Sequence, residues 1–207
     1  MAVVPVYQTG KHSPSAWKMT DALESWSWRG CEGKKAHIEV YARAYLIKLF
    51  LNDKYVGCRK INKCIAKFSI PYQNGTLKAV AFDENNEESG EVQLRTADQE
   101  TELRLIPESE TAEYNKLIYV KIRFTDKNGI WKPMGHHSVQ VKVKNGQLVR
   151  LGSACPYNSI GFLEDTVETY YGEALAIIKP DGKGDVFVTA VSGSYHAEIT
   201  IPIEIRN

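Results

Sequence analysis

No stretch of this 207-residue chain approaches the roughly 20 consecutive apolar residues that a membrane-spanning helix needs. The opening run from Ala2 to Val6 is also far too short for the apolar core of a signal peptide. Net charge is nearly absent: 26 Lys and Arg stand against 25 Asp and Glu, so there is no broad positive field of the kind that holds nucleic acid or an anionic membrane. Cysteine is sparse. Cys31, Cys58, Cys64 and Cys155 fall well below the density of a disulfide scaffold. The spacing of Cys58 and Cys64 does not fit the Cys-x(2–4)-Cys knuckle that puts two thiolates on one zinc. Free thiols are expected, with a Cys58 to Cys64 bridge across a hairpin as the alternative. Gly182 and Gly184 sit in a turn with no following helix, so no phosphate cradle is formed. Neither a cofactor nor a metal is implied. The expectation is a soluble protein of unassigned compartment, with no nucleic-acid or membrane partner.

Helical periodicity is almost missing too, and period-two alternation takes its place. Ile118, Val120, Ile122 and Phe124 share one face of an extended segment, while Tyr119, Lys121 and Arg123 take the other. Val139, Val141 and Val143 alternate with Gln140, Lys142 and Lys144. Ile199, Ile201, Ile203 and Ile205 alternate with Thr200, Pro202, Glu204 and Arg206. Pro202 has no N–H to donate, so this last strand is an edge or turns Pro202 away from its ladder. Asn74-Gly75, Asn128-Gly129 and Asn145-Gly146 are dipeptides suited to tight turns between strands.

Strands are expected near residues 36–42, 46–51, 55–61, 64–70, 76–83, 91–96, 101–106, 117–124, 138–144, 147–151, 174–179, 185–192 and 198–205. Two sets of six or seven make the fold class all-β, with two tandem immunoglobulin-like antiparallel β-sandwiches. Their expected spans are 21–98 and 99–207, behind an irregular lead-in over 1–20. The break falls in the polar stretch 96–100. The longest irregular stretch, 153–171, exceeds the usual connection length and is expected to be functional or packed on a neighbour.

The segment Ser25-Trp26-Ser27-Trp28-Arg29-Gly30-Cys31-Glu32-Gly33-Lys34, leading into His37-Ile38-Glu39-Val40-Tyr41, resembles the Trp-x-Trp, Gly-x-Glu-Gly entry to an accessory domain of family 2 glycoside hydrolases. Leu46-Ile47-Lys48-Leu49-Phe50-Leu51-Asn52-Asp53-Lys54-Tyr55-Val56-Gly57 is similar to the hairpin of that domain, with Asp53 where the family has Gly. Asp tolerates a left-handed turn position at some steric cost. Phe68-Ser69-Ile70-Pro71-Tyr72, followed by Gly75-Thr76-Leu77-Lys78-Ala79-Val80-Ala81, resembles the next pair of strands. The second half is similar to the terminal immunoglobulin-like module of the same enzymes through Leu117-Ile118-Tyr119-Val120, Thr125-Asp126-Lys127-Asn128-Gly129, Gly152-Ser153-Ala154-Cys155-Pro156 and Thr169-Tyr170-Tyr171-Gly172-Glu173-Ala174-Leu175-Ala176. The resemblance spans residues 17–207. It implies a bacterial parent of the β-galactosidase type that hydrolyses terminal β-galactosides or related β-glycosides. A sugar-binding-like domain, a sandwich and a catalytic barrel would lie upstream as partners, with a homo-oligomer of the parent as a further contact.

Retaining glycosidases need two carboxyl groups about 5–5.5 Å apart at the strand ends of a barrel of roughly 250 residues. This chain is too short for one, so no catalytic residue is assigned. Glu24, Glu32, Glu164, Glu168 and Glu173 read as surface or turn carboxylates, and His12, His37, His136, His137 and His196 as loop or surface residues. His136 and His137 point to opposite faces of an extended chain and cannot chelate one ion. Exposed aromatic rings stack on flat sugar faces, which makes Trp26, Trp28, Trp131, Tyr170 and Tyr171 the candidates for sugar contact, with Tyr157 and Phe162 beside them. Of Tyr170 and Tyr171, alternation keeps one outside. The competing role for these rings is packing within a core or between domains. Three functions follow: a scaffold for the catalytic barrel, a carbohydrate-binding module, or a cell-surface adhesion module. Exposed coplanar rings would favour the second and buried rings the first.

Overall fold

The computed structural model describes residues 1–8, 19–182 and 184–204. Two compact units divide the chain, Met1–Ala97 and Asp98–Asn207. Both are built mainly from antiparallel ladders whose inward residues are the apolar members of the alternation.

In the first unit the strands are β1 (Ala2–Val3), β2 (Lys35–Tyr41), β3 (Leu46–Leu51), β4 (Lys54–Lys60), β5 (Ile65–Pro71), β6 (Thr76–Phe82) and β7 (Glu88–Arg95). One sheet has the order β1-β2-β5 and the other β4-β3-β6-β7. Ala36, Ile38 and Val40 with Ala66, Phe68 and Ile70 line the first inner face, and Ile47, Leu49 and Leu51 with Leu77 and Ala79 line the second. Side chains buried as fully as Ile47 and Leu49 each contribute about 1.5–3 kcal/mol. Asn52 and Asp53 join β3 to β4 with φ of 51° and 62°, the paired left-handed geometry of a type I′ hairpin turn. Asp53 therefore fills the place expected of it. The outer strands β4 and β7 are exposed along nearly their whole length. Lys54, Arg59 and Lys60 on one and Glu88, Glu91 and Arg95 on the other charge these open edges, which discourages further strand pairing.

The second unit holds β8 (Glu102–Pro107), β9 (Ala112–Glu113), β10 (Ile118–Thr125), β11 (Ser138–Lys144), β12 (Gly146–Gly152), β13 (Thr166–Glu168), β14 (Glu173–Pro180), β15 (Val186–Ser192), β16 (Tyr195–Ile201) and β17 (Ile203–Glu204). Its sheets run β12-β14-β10-β8 and β13-β11-β15-β16. If β8, β10, β11, β12, β14, β15 and β16 are taken as strands A to G, this is the ABED and CFG pairing of an immunoglobulin sandwich, with β13 added beside β11. Val120, Ile122, Phe124, Val139, Val141, Ala176, Ile178, Val186 and Val188 fill the space between the sheets.

Four expectations need correction. Residues 1–20 are not wholly an irregular lead-in, because Ala2 and Val3 pair with Glu39 and Ile38 on β2 and their side chains enter the core. The stretch 153–171 contains β13, which takes up hydrogen-bonding groups at the β11 edge. The strand expected at 198–205 is broken at Pro202 into β16, which is an edge, and β17, which pairs in parallel with β9. The β7 strand begins at Glu88, before the expected 91. All four cysteines are free. His12, Ile205 and Arg206 lie outside the described residues.

A buried carboxylate organises the turn after β10. Asp126 is almost wholly enclosed. Its Oδ1 accepts from the backbone N–H of Asn128 (2.8 Å) and Ile130 (2.9 Å), and its Oδ2 from that of Asp98 (2.8 Å). Burial alone would raise its pKa, but these three N–H groups and the Lys132 ammonium outweigh it and hold the carboxyl below the usual range.

Candidate functional site

Each candidate aromatic is positioned by its own local backbone. In the first unit, Ser25-Trp26-Ser27-Trp28 precedes β2 outside any strand, and Trp26 and Trp28, both 0% exposed, belong to the core. The Trp26 indole N–H donates to Gln73 O (2.9 Å) and that of Trp28 to Ser25 O (3.1 Å), which satisfies the polar edge of each ring. Tyr72 packs edge-on against Trp26, with centroids 4.7 Å apart, and its hydroxyl accepts from Trp28 N (3.0 Å). Thr96 Oγ1 donates to Trp26 O (2.9 Å), and Ser27 Oγ accepts from Ala97 N (2.9 Å). Neither indole has a face left to offer a sugar. Their expected place among the sugar contacts gives way to a packing role, because closing the sandwich buries about 25 cal/mol of stability per Å² of each large ring.

The rings of the second unit are placed differently. Trp131 is half-buried; its indole N–H donates to Tyr171 O (2.8 Å), and the Arg123 guanidinium lies 4.8 Å from its ring centre. Arg123 also forms an ion pair with Glu173. Tyr170 and Tyr171 are both half-buried, with ring centres 4.4 Å apart. Alternation fails for this pair because Tyr171 adopts a left-handed backbone, with φ of 52°, and the chain turns instead of extending. Gly172 follows at φ 68°, where a Cβ would sit 2.5 Å from Lys132 O.

The outward face of the β12-β14-β10-β8 sheet carries two adjoining clefts. One cleft of about 440 Å³ is lined by Lys121, Arg150, Phe162, Tyr170, Leu175 and Ile177, together with Gly152 and Glu173. A second, of about 510 Å³, shares Lys121 and Leu175 and continues to Ile106, Glu108 and Tyr119. The ladder explains the row, since Lys121 lies opposite both Ile106 and Leu175, and Leu175 opposite Gly152. Phe162 returns over β12 through Leu151 N donating to Phe162 O (3.0 Å). Its ring lies so close to Gly152 that a Cβ there would be 2.4 Å from it. Only glycine allows this approach.

Phe162 and Tyr170 were legible as candidates in the sequence, but Lys121, Arg150, Leu175 and Ile177 were not. The available signal was β14 itself: Ala174, Leu175, Ala176, Ile177 and Ile178 are apolar on both faces, which says that its outward side is also covered or concave.

The remaining titratable groups are dispersed. Glu24, Glu32, Glu164 and Glu168 are exposed, and Glu173 is paired with Arg123. His137 stacks on Phe124 at 3.9 Å while His136 faces solvent. Burial pushes the His137 imidazole below its usual pKa, helped by His136 and opposed by Glu168. No group of three or more metal-binding side chains occurs among the described residues. A tighter polar cluster surrounds Glu39, which accepts from Thr20 Oγ1 (2.8 Å) and the Tyr41 hydroxyl (2.5 Å) and pairs with Lys67 (3.1 Å). Burial first, and then the Glu39 carboxylate, push the Tyr41 phenol up to about 12.

These features define a class of protein: two immunoglobulin-type sandwiches whose aromatic and polar side chains mostly serve the fold. Residues 103–200 match the family described as glycoside hydrolase family 2 C-terminal domain 5, and residues 33–90 match a domain of unknown function (DUF4982). The second unit thus matches a family 2 C-terminal domain, and the chain as a whole resembles an accessory-domain region of such enzymes. It is 27% identical over 158 residues to the β-galactosidase BoGH2A of Bacteroides ovatus, covering 73% of this chain and 18% of that protein. A solved family 2 glycosyl hydrolase from Bacteroides cellulosilyticus matches 98% of this chain with 28% of its own, at 25% identity and a TM-score of 0.83. A β-glycosidase from Bacteroides vulgatus shares the fold, with a TM-score of 0.77 at 18% identity over 87% of this chain and 24% of its own. The chain thus spans less than a third of the length of each of these relatives.

Proposed function

We propose that this chain acts as a pair of non-catalytic accessory domains of a longer family 2 glycosidase, one that hydrolyses terminal β-galactosides or related β-glycosides. In that setting the sandwiches bury surface against the catalytic barrel or a second subunit and fix its placement. The observation that carries this reading is coverage: one family 2 structure accounts for 98% of the chain while 28% of its own length is used. A barrel of roughly 250 residues needs room that two filled sandwich cores do not leave. The likeness to a protein named as a β-galactosidase supports the substrate class. The adhesion reading rests on fold alone and has no feature of its own in its favour.

The test compares the full-length parent with a version lacking these residues. Loss of thermal stability, of assembly or of turnover on a chromogenic β-galactoside is expected. Unchanged behaviour in all three would undermine the scaffold role. The isolated chain is expected to leave the same substrate intact, and turnover that copurifies with the folded protein would overturn its non-catalytic assignment.

A further inference from the structure

We infer that the trough on the outward face of β10, β12 and β14 is a binding site for a carboxylate-bearing oligosaccharide. Three features of the trough lead there. Its floor is apolar, made by Leu175 and Ile177. Two aromatic side chains, Phe162 and Tyr170, stand at its wall, and Phe162 is 56% exposed although it is held in place by its backbone bond to Leu151 and its contact with Gly152. The C–H face of a pyranose ring packs on such surfaces, while its hydroxyls need charged or polar partners at the rim.

The rim supplies these partners with a definite sign. Lys121 on β10 and Arg150 on β12 lie on either side of β14, opposite Leu175 and Ile177 respectively. Strand spacing and rise put their Cα atoms roughly 12 Å apart, within reach of convergence for two long side chains. The Lys121 side chain forms no hydrogen bond or ion pair within the described residues, and the one side-chain hydrogen bond of Arg150 goes to the carbonyl of its neighbour Val149. The carboxylate on this half of the trough, Glu173, is already neutralised by Arg123. Two uncommitted cations over an apolar floor match a ligand that is flat, weakly polar on one face and anionic at one edge. A uronic acid residue has that chemistry: its carboxylate takes the planar guanidinium of Arg150 in a bidentate pair with Lys121 as a second charge, and its ring rests against Phe162. The two adjoining clefts give room for a second sugar unit towards Tyr119. This goes beyond the accessory role.

The test is calorimetric titration of the 207-residue chain with trigalacturonate, its methyl ester serving as a neutral copy. Heteronuclear chemical shifts would map the site. We expect saturable binding of the acid that weakens with salt, an ester at least tenfold weaker, and shifts centred on Lys121, Gly152, Leu175 and Ile177. Lys121→Met, Arg150→Met and Phe162→Ala should each weaken binding about tenfold, a loss typical of one charge-assisted or stacking contact. Lys142→Met on the other sheet should leave binding unchanged and so exclude general charge attraction. Ester and acid binding alike, equal losses in the Lys142 control, or no saturation by either sugar would overturn the proposal. The last outcome would leave the trough to a polypeptide neighbour. None of these results depends on the parent's turnover, so failure here is separable from failure of the scaffold role.

Discussion

Replacing Asp126 by Ala removes one carboxylate and leaves three backbone N–H groups, those of Asp98, Asn128 and Ile130, without their acceptor. Hydrogen bonds to a charged group are worth about 1.5–3 kcal/mol each, and an abandoned buried donor costs about 1–3 kcal/mol. Lys127 and Asn128 are exposed, so water recovers part of the loss at the turn tip. The second unit should therefore lose about 3–4 kcal/mol, a midpoint fall of about 12–16 °C at about 4 °C per kcal/mol. Asp126→Asn keeps one acceptor and should lose about half as much. The deficit also has a pH signature. The folded carboxyl is held below its usual range, so the unfolded chain binds the extra proton as pH falls. The stabilisation is then fully present above the unfolded value of about 3.9 and is lost as pH falls through the folded one. Urea unfolding, read by hydrogen exchange of peptides from β10 and β14, measures this within the second unit. A loss below about 1 kcal/mol would refute the reasoning. So would a wild-type advantage that stays constant from about pH 7 down to pH 2.

Tyr72→Phe deletes the hydroxyl that accepts from Trp28 N and donates to Asn74 Oδ1 (2.9 Å) or Trp26 O (3.2 Å). A loss of about 2 kcal/mol from the first unit is expected in denaturant unfolding, and a neutral result would mean that water replaces the hydroxyl. Tyr41 should ionise at about 12 in an ultraviolet phenolate titration. A raised phenol pKa means that the folded state keeps a proton the unfolded chain has released, so stability falls as pH rises from about 10 towards the folded value. Glu39→Gln should bring the Tyr41 midpoint back towards the ordinary one, and an unchanged midpoint would assign the shift to burial alone.

The alternation in segments such as 118–124 and 139–143 sufficed to identify β10 and β11, because a period of two has one physical solution when one face is buried and the other wet. The hairpin at Asn52-Asp53 was read through the family resemblance, with Asp53 tolerating the left-handed position that the structure gives it. Pro202, with no N–H to give, marked the last strand as an edge, but the break into β16 and β17 was not read from it. The short strands β1, β9, β13 and β17 were not readable in this way. Two or three residues carry no period, and each forms only where tertiary structure brings another strand alongside.

The aromatic residues divide on the same principle. That Trp26, Trp28, Trp131, Tyr170 and Tyr171 would matter was evident from their size. Which of them faced solvent was not, because a Trp in an extended segment reads the same whether the neighbouring sheet covers it or not. Tertiary closure put Trp26 and Trp28 at 0% exposure, and a left-handed residue at 171 turned Tyr171 out of the alternation. Closure also brought Phe162 onto Gly152 and set Lys121 and Arg150 across β14 from positions far apart in the chain. The sequence by itself determined the longer strands, since their alternation depends on residues two to four apart, and the family likeness, through the order and spacing of its motifs. The tertiary structure alone decided the trough and the buried indoles, since these depend on which strands become neighbours, and that is an outcome of packing the whole unit.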